Sequence, residues 1–275
     1  MTHKTVEFNF HKTSFFGQYW KTDNVKAVVL ILHGLGEHSG RFTEVAENLV
    51  DNGYGVAAFD HFGHGKTTGK RGHNPSYESV LDSIEQFIKK TREIFGETQL
   101  FLYGHSMGGN AVLNYMLSRD NNIKGVIATS AFLKLAFEPP AWKLFFGKII
   151  QKIAPSITLD NEINTSFISR DPEEVKKYEN DSLVHNRVSP NFSLSFIERG
   201  AWAIENARLL KKPILLLHGT DDKLISCEGS KEFAANNSDN VTLNLYQGGY
   251  HELHNDLCKS EVIKDIVSWL NENSQ

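Results

Sequence analysis

Gly104-His105-Ser106-Met107-Gly108 is the stretch of sequence that decides the fold, because its flanks are typical of a strand and a helix. The apolar run Leu100-Phe101-Leu102-Tyr103 before it is typical of a buried strand, and residues 109–117 after it are typical of a helix. In this setting the pattern G-x-S-x-G predicts a sharp turn that holds the serine hydroxyl clear of the sheet and needs small neighbours. The alternative is a glycine-rich turn that contains a serine by chance.

Strands and helices alternate along the chain, which predicts an α/β fold with a mostly parallel central sheet flanked by helices. Residues 28–32 form a continuous apolar strand, as expected where helices cover both faces of the sheet. The clearest helix prediction spans residues 76–95, whose apolar side chains share one stripe and which stops before Gly96. The other predicted elements are a hairpin at 6–10 and 15–20, a helix at 41–52 and strands at 56–59, 125–129, 214–217 and 241–246.

The composition is that of an ordinary globular protein, with 275 residues, 40% of them hydrophobic and 23% charged. A net charge of −4 gives no electrostatic argument for nucleic acid as a partner. The first residues lack the apolar segment of a signal peptide, and the longest apolar run, residues 27–32, is too short to span a membrane. Cys227 and Cys258 match no disulfide or metal pattern, so we expect free thiols and a cytoplasmic location.

Residues 132–200 interrupt the alternation and predict a helical cap or lid over the carboxyl edge of the sheet. The α/β-hydrolase core would then consist of residues 1–131 and residues 201–275. The strongly apolar run at residues 142–153 is too apolar on all sides for a simple surface helix. It either packs into the core, or it lines a tunnel for an acyl chain and touches lipid.

A serine nucleophile needs a base that accepts its proton and an acid that orients the base, here expected in the order serine, acid, histidine. The acid should follow the strand at 214–217, where the chain reads His218-Gly219-Thr220-Asp221-Asp222. The base should follow the strand at 241–246, where it reads Gly248-Gly249-Tyr250-His251-Glu252-Leu253-His254. Either aspartate could instead cap a loop, and either histidine could be structural. Their joint position after the last two strands favours catalysis.

The reaction also needs an oxyanion hole, which is normally formed by two backbone amides. The residue after the nucleophile, Met107, is expected to supply one of them. The other is expected from the loop His33-Gly34-Leu35-Gly36 after an earlier strand, where Leu35 supplies the amide and small neighbours allow a close approach.

Several longer segments occur in an order that is typical of one family. They are His33-Gly34-Leu35-Gly36-Glu37-His38-Ser39-Gly40-Arg41-Phe42, Asp60-His61-Phe62-Gly63-His64-Gly65-Lys66, Gly104-His105-Ser106-Met107-Gly108-Gly109, the segment 169–181 and Tyr250-His251-Glu252-Leu253-His254-Asn255. With them the chain resembles the monoacylglycerol lipases, in the lysophospholipase-like branch of the α/β-hydrolases. The resemblance covers nearly the whole chain, and it selects Asp222 over Asp221 and His251 over His254.

The resemblance implies a serine ester hydrolase that cleaves monoacylglycerols to glycerol and fatty acid through an acyl-enzyme, with Ser106, Asp222 and His251 as its triad. It implies no metal and no organic cofactor. The expected partner is a small lipid ester, with transient contact of the cap with a membrane or micelle.

Carried over residue by residue, the resemblance also implies polar contacts to the glycerol headgroup. The matching residues are Glu37, Arg41, His105, Tyr178 and His254. The alternative for Glu37 and Arg41 is a local ion pair that holds the oxyanion loop. The chain departs from the family at Phe42, where relatives often carry tyrosine, and over residues 132–166, which match nothing closely.

Two other kinds of function remain open from the sequence. The same machinery serves lysophospholipases, short-chain carboxylesterases and peptidases, although the apolar cap favours lipid esters. A catalytically silent ligand-binding α/β-hydrolase usually lacks a member of the triad, and this chain lacks none.

Overall fold

The computed structural model describes residues 1–119 and 122–274. The centre of the fold is a mostly parallel sheet. Its eight strands are β1 (Thr2–Phe10), β2 (Thr13–Lys21), β3 (Val28–Leu32), β4 (Gly55–Phe59), β5 (Leu100–His105), β6 (Gly125–Thr129), β9 (Ile214–Gly219) and β10 (Val241–Tyr246). They lie in the order β1-β2-β4-β3-β5-β6-β9-β10. The β1–β2 and β2–β4 pairs are antiparallel, and the pairs from β4 to β10 are all parallel.

Helices flank this sheet on both faces. In chain order, the helices of the described residues are α1 (Thr43–Asp51), α2 (Tyr77–Phe95), α3 (Met107–Ser118), α4 (Ala141–Ile153), α5 (Pro172–Asn180), α6 (Pro190–Asn206), α7 (Cys227–Ala235) and α8 (Lys259–Asn273). Local signals set the ends of α2, since the Ser76 side chain accepts a hydrogen bond from the amide of Ser79 and Gly96 ends the helix at a φ of 73°.

The central strands are apolar on both sides because each of their faces is covered. Val29 and Ile31 pack into one hydrophobic cluster, while Leu30 and Leu32 pack into the cluster on the other face. All five residues of β3 are buried. This two-sided burial explains why the strand reads as a continuous apolar run rather than as an alternation.

The predicted fold class is confirmed, and the differences are local. The predicted helix at 41–52 is divided into a 3-10 turn at Ser39–Phe42 and α1. Residues 132–200 contain two short strands, β7 (Leu159–Asp160) and β8 (Arg187–Val188), which pair antiparallel. Neither strand is predicted from the sequence, because two residues are too few to show a period.

The turn between β5 and α3 is as sharp as the sequence predicts. Ser106 has φ 52° and ψ −112°, a backbone conformation that residues other than glycine rarely adopt. A Cβ on Gly104 would lie 2.3 Å from the carbonyl oxygen of Gly108, and one on Gly108 would lie 2.2 Å from that of Leu32. Only glycine fits at both positions, because each neighbour is backbone and cannot move aside.

Of the three α-helices between β6 and β9, α4 lies on the surface and α6 packs into the core. No residue of α4 is buried, and Trp142, Phe145 and Phe146 are each more than half exposed. By contrast, α6 buries Phe196 in the core and continues through residue 200. Within residues 1–119 and 122–274, no helix is long and apolar enough to cross a bilayer.

Gly104→Ala is expected to destabilise the protein by about 2–3 kcal/mol, because the new methyl group overlaps backbone that cannot relax. Gly147→Ala is the matched control, since its Cβ would meet only a side-chain atom of Leu194 at 3.5 Å. In the helical setting of α4, that change should stabilise by up to about 1 kcal/mol. Urea unfolding of the two variants measures both effects, and a Gly104→Ala protein as stable as the wild type would contradict the steric argument.

Candidate active site

A cavity lies at the carboxyl ends of the central parallel strands, where the loops after β3, β5, β9 and β10 meet. Its walls are formed by Gly34, Leu35, Glu37, His105, Ser106, Ile163, Ile168, Tyr178, Leu224, His251 and Glu252. Ser106 and His251, which the sequence separates by 145 positions, therefore face one space. The crevice beyond the carboxyl ends of parallel strands is where ligands bind in open α/β sheets.

Asp222 stands behind His251 and holds its ring. Its Oδ2 accepts a hydrogen bond from Nδ1 of His251 at 2.7 Å. Its Oδ1 accepts two backbone hydrogen bonds, from Leu224 at 2.9 Å and from Ile225 at 3.0 Å. The neighbouring Asp221 is exposed, and its carboxylate accepts a hydrogen bond from the hydroxyl of Thr220 at 3.1 Å. Of the two aspartates left open by the strand positions, the structure thus brings Asp222 to the histidine.

The two groups of this pair shift each other's pKa in opposite directions. Burial opposes the ionised form of Asp222, but the attraction and hydrogen bonds of His251 and His218 outweigh it, so the pKa of the carboxyl is lowered. Burial also opposes the charged form of His251, but the attraction and hydrogen bond of Asp222 dominate and raise the pKa of the imidazole above 6.5. The arrangement stabilises an imidazolium, which is the state that a general base reaches when it accepts a proton.

The loop after β3 contributes Gly34 and Leu35 to the cavity wall and is held by the buried side chain of His33. Nδ1 of His33 donates to the carbonyl oxygen of Gly34 at 2.7 Å, while Nε2 accepts from the amide of His61 at 3.0 Å. The Gly34 carbonyl and the Leu35 N–H belong to one trans peptide unit, so fixing the carbonyl points the N–H in the opposite direction. Met107 is the first residue of α3, and its N–H is one of the amides that a helix leaves unpaired.

A buried ion-pair chain connects this loop to the loop that carries His251. Arg41 donates to Glu37 at 3.0 Å and to Glu252, and its guanidinium lies 4.6 Å from the ring centre of Tyr178. Glu37 also accepts a hydrogen bond from the amide of Gly34 at 2.6 Å. The ion pair that the sequence left as the alternative for Glu37 and Arg41 is therefore present.

The five headgroup candidates fall into two groups. Glu37, His105 and Tyr178 line the cavity, whereas Arg41 and His254 contact those lining residues. The His254 ring stacks on Phe42 at 4.5 Å and lies 4.9 Å from that of His105. Within the described part of the chain, both ring nitrogens of His254 are buried without a hydrogen-bond partner.

Five histidines around the site are buried in the neutral form. Burial lowers the pKa of His33 to about 4 and that of His254 to about 3. It also lowers the pKa values of His61, His64 and His105 well below 6.5. Neutral imidazole can both donate and accept, which is the role that His33 takes between Gly34 and His61.

Three residues that support the site are not predicted to do so from the sequence. They are His33, His218 and Glu252. His218 lies within β9, and its Nε2 is 3.3 Å from Oδ2 of Asp222. Its position four residues before the acid was the only available signal, since a buried strand residue gives no other indication of what it contacts.

Comparisons with known proteins identify the family of this chain. The family model described as serine aminopeptidase, S33, matches residues 23–258. An abhydrolase domain-containing protein of Dictyostelium discoideum is 38% identical over 90% of this chain, which spans about a quarter (26%) of that protein. The monoglyceride lipase of Rattus norvegicus is 30% identical over 93% of this chain and 86% of its own length. The crystal structure of Paleococcus ferrophilus monoacylglycerol lipase superposes with a TM-score of 0.85, at 34% identity, over 99% of this chain and all of that one.

The pH dependence of ester hydrolysis should report the Asp222–His251 pair. A base must be unprotonated to accept a proton, so kcat/KM for a soluble chromogenic ester is expected to rise with pH, with a midpoint above 6.5. Asp222→Asn should lower kcat on the order of 10⁴-fold and move that midpoint down, because the charge that raises the pKa is gone. Asp221→Asn is the matched control and should change neither. Equal effects of the two substitutions would show that the wrong aspartate has been assigned.

Proposed function

We propose that this chain, which belongs to the hydrolase family described as serine aminopeptidase, S33, hydrolyses monoacylglycerols to glycerol and free fatty acid. The protein is a carboxylic ester hydrolase of the α/β-hydrolase fold, and the resemblance to monoacylglycerol lipases inferred from the sequence is confirmed. The observation that carries the proposal is the cavity in which Ser106 faces His251, with Asp222 bonded to the far side of the imidazole. A lipid ester is the substrate class that the relatives support.

In the proposed reaction, the hydroxyl oxygen of Ser106 attacks the ester carbonyl while Nε2 of His251 accepts its proton. The carbonyl oxygen becomes negatively charged and is bound by the amides of Leu35 and Met107. His251 then returns the proton to the glycerol oxygen as the carbon–oxygen bond breaks, which leaves the acyl group on Ser106. Water, deprotonated by His251, attacks the acyl-enzyme, and His251 passes that proton to the oxygen of Ser106 as the fatty acid leaves. Asp222 keeps the ring oriented and stabilises its charged form throughout.

The chemistry of the cavity wall supports an ester of a small polar alcohol with an apolar acid. Glu37, His105 and Tyr178 contribute polar groups to the wall. Ile163 and Leu224 contribute apolar surface to the same wall. A glycerol headgroup needs donors and acceptors that replace its hydration, and an acyl chain gains by leaving water. We assign the headgroup contacts to the three polar lining residues, with Arg41 and His254 supporting them.

A peptidase is disfavoured by the pairing of the buried carboxylates. An enzyme that binds a free amino terminus needs a carboxylate whose charge is available to the substrate amine. The two carboxylates that line the cavity, Glu37 and Glu252, are each already paired with Arg41. Lysophospholipase and broad carboxylesterase activities use the same machinery and are separated from the proposed one by substrate choice.

We further propose that residues 132–200 act as the cap, with α4 as the part that meets a lipid surface. The helix exposes Trp142, Phe145 and Phe146 together with the lysines at 143, 148 and 152. Large apolar side chains next to lysines on one exposed helix are typical of segments that lie in a membrane interface. The protein would then work in the cytoplasm and bind membranes or micelles transiently.

A substrate panel tests the proposed activity. The purified protein should show its highest kcat/KM on a monoacylglycerol, compared with a diacylglycerol, a lysophosphatidylcholine and a short-chain ester. Ser106→Ala should lower kcat on the order of 10⁴-fold or more on all of them without changing thermal stability, because only the nucleophile is lost. A preference for lysophosphatidylcholine would replace the proposed substrate, and full activity of Ser106→Ala would refute the serine mechanism.

Phe146→Asp should weaken binding to phospholipid vesicles, because it places a charge on the face of α4 that is proposed to enter the interface. Turnover of a soluble ester should be unchanged, since no residue of α4 lines the cavity among those that the structure describes. Leu209→Asp is the matched control, with a leucine that is 57% exposed against 54% for Phe146 and lies outside the proposed cap. Vesicle co-sedimentation measures the difference, and equal binding of the two variants would contradict the role of α4.

A further inference from the structure

A buried serine outside the proposed triad connects the strand beside Ser106 to the loop of His251. Ser130 directly follows β6 and is completely buried. Its hydroxyl donates a hydrogen bond to the backbone carbonyl oxygen of His251 at 2.6 Å. Its own amide donates to the carbonyl oxygen of Leu217, in β9, at 2.8 Å. Both the side chain and the main chain of Ser130 are thus fixed.

The same short segment, residues 129–132, also fixes the main chain of Ser106. The amide of Ser106 donates to the carbonyl oxygen of Thr129 at 2.9 Å, and the carbonyl oxygen of Ser106 accepts from the amide of Phe132 at 2.9 Å. The Thr129 hydroxyl lies 3.1 Å from Nδ1 of His105, the residue before the nucleophile. Three residues of this segment, Thr129, Ser130 and Phe132, therefore hold the main chains of Ser106 and His251.

Ser130 keeps this contact in an unfavourable backbone conformation. Its φ is 45°, in the left-handed region that glycine enters freely and other residues seldom occupy. Such strain persists where the surrounding structure determines the conformation, and it concentrates at functional sites. Glycine would satisfy the backbone at this position but would lose the hydroxyl. The use of serine therefore points to the hydroxyl as the group that matters here.

We propose that Ser130 is a positioning residue for ester hydrolysis, because it holds the main chain of His251 in register with Ser106. The inference rests on the proposed function, since it takes these two residues as base and nucleophile. His251 is then held at its ring, which donates to Asp222, and at its carbonyl oxygen, which accepts from the Ser130 hydroxyl and from the amide of Leu253 at 3.2 Å. Asp222 fixes the orientation of the ring, and Ser130 fixes the position of the His251 backbone that carries the ring. Small displacements of a catalytic group slow catalysis strongly, which gives this second attachment its value.

Two substitutions separate the hydroxyl from the backbone strain. Ser130→Ala removes the hydroxyl and keeps a side chain in the left-handed region. Ser130→Gly removes the hydroxyl and relieves that strain, so it should be the more stable variant. Both are expected to lower kcat on a soluble ester about tenfold, with KM unchanged, because both release the base from the segment that holds the nucleophile.

Ser83→Ala is the matched control for losing a buried hydroxyl. Ser83 is completely buried in α2, and its hydroxyl donates to the carbonyl oxygen of Val80 at 2.7 Å, within the same helix. Its replacement should lower the melting temperature and leave kcat and KM unchanged. Activity that follows the melting temperature across the three variants, with Ser130→Gly restored to the wild-type rate, would overturn the proposal.

The rate at which Ser106 reacts with a fluorophosphonate provides a readout that does not depend on lipid binding. Mass spectrometry of the labelled protein should show slower phosphonylation in both Ser130 variants than in the wild type and Ser83→Ala. Equal labelling rates in all four proteins would overturn the positioning role while leaving the proposed function intact. A wild-type protein that neither reacts with the reagent nor hydrolyses any ester would instead remove the proposed function, and the positioning role with it.

Discussion

The contact between the turn at Ser106 and the end of β3 is the constraint on which the rest of the site depends. Gly108 approaches the carbonyl oxygens of Leu32 and His33 so closely that no side chain fits between them. The turn that carries Ser106 and the start of the loop that carries Leu35 are therefore in direct backbone contact. Their separation is set by the parallel pairing of β3 and β5 rather than by flexible side chains.

Buried charges extend this rigid contact to the neighbouring loops. Arg41 lies between Glu37, in the loop after β3, and Glu252, in the loop after β10. Its guanidinium also packs on the ring of Tyr178, from the segment between β6 and β9. Breaking one partner of a buried pair leaves an uncompensated charge, which is far more costly than losing an exposed pair. Burial and the charge of Glu252 raise the pKa of Glu37 to about 7, because the attraction of Arg41 does not outweigh them.

The sequence predicted those parts of the site that follow from strand order, but not those that follow from contacts between distant side chains. The turn at Ser106 and the loops of Asp222 and His251 each come directly after a strand, so a parallel sheet brings them to one edge. His33, Glu252 and Ser130 act through contacts with other loops, and nothing in their neighbouring residues indicates which loop. The choice between a buried and an exposed apolar run at 142–153 also depends on packing, and the structure places that helix on the surface.

The ring of neutral histidines around the site couples the integrity of the fold to the acidity of its surroundings. A histidine in the unfolded chain takes up a proton near pH 6.5, whereas His33 and His254 in the fold hold out to pKa values of about 4 and about 3. Between these limits the unfolded chain binds more protons, so the free energy of unfolding falls as the pH drops below 6.5. His61, His64 and His105 act in the same direction, so several protons are taken up together when the chain unfolds at acid pH. The buried neutral histidines that surround the site therefore also make the fold less stable at acid pH.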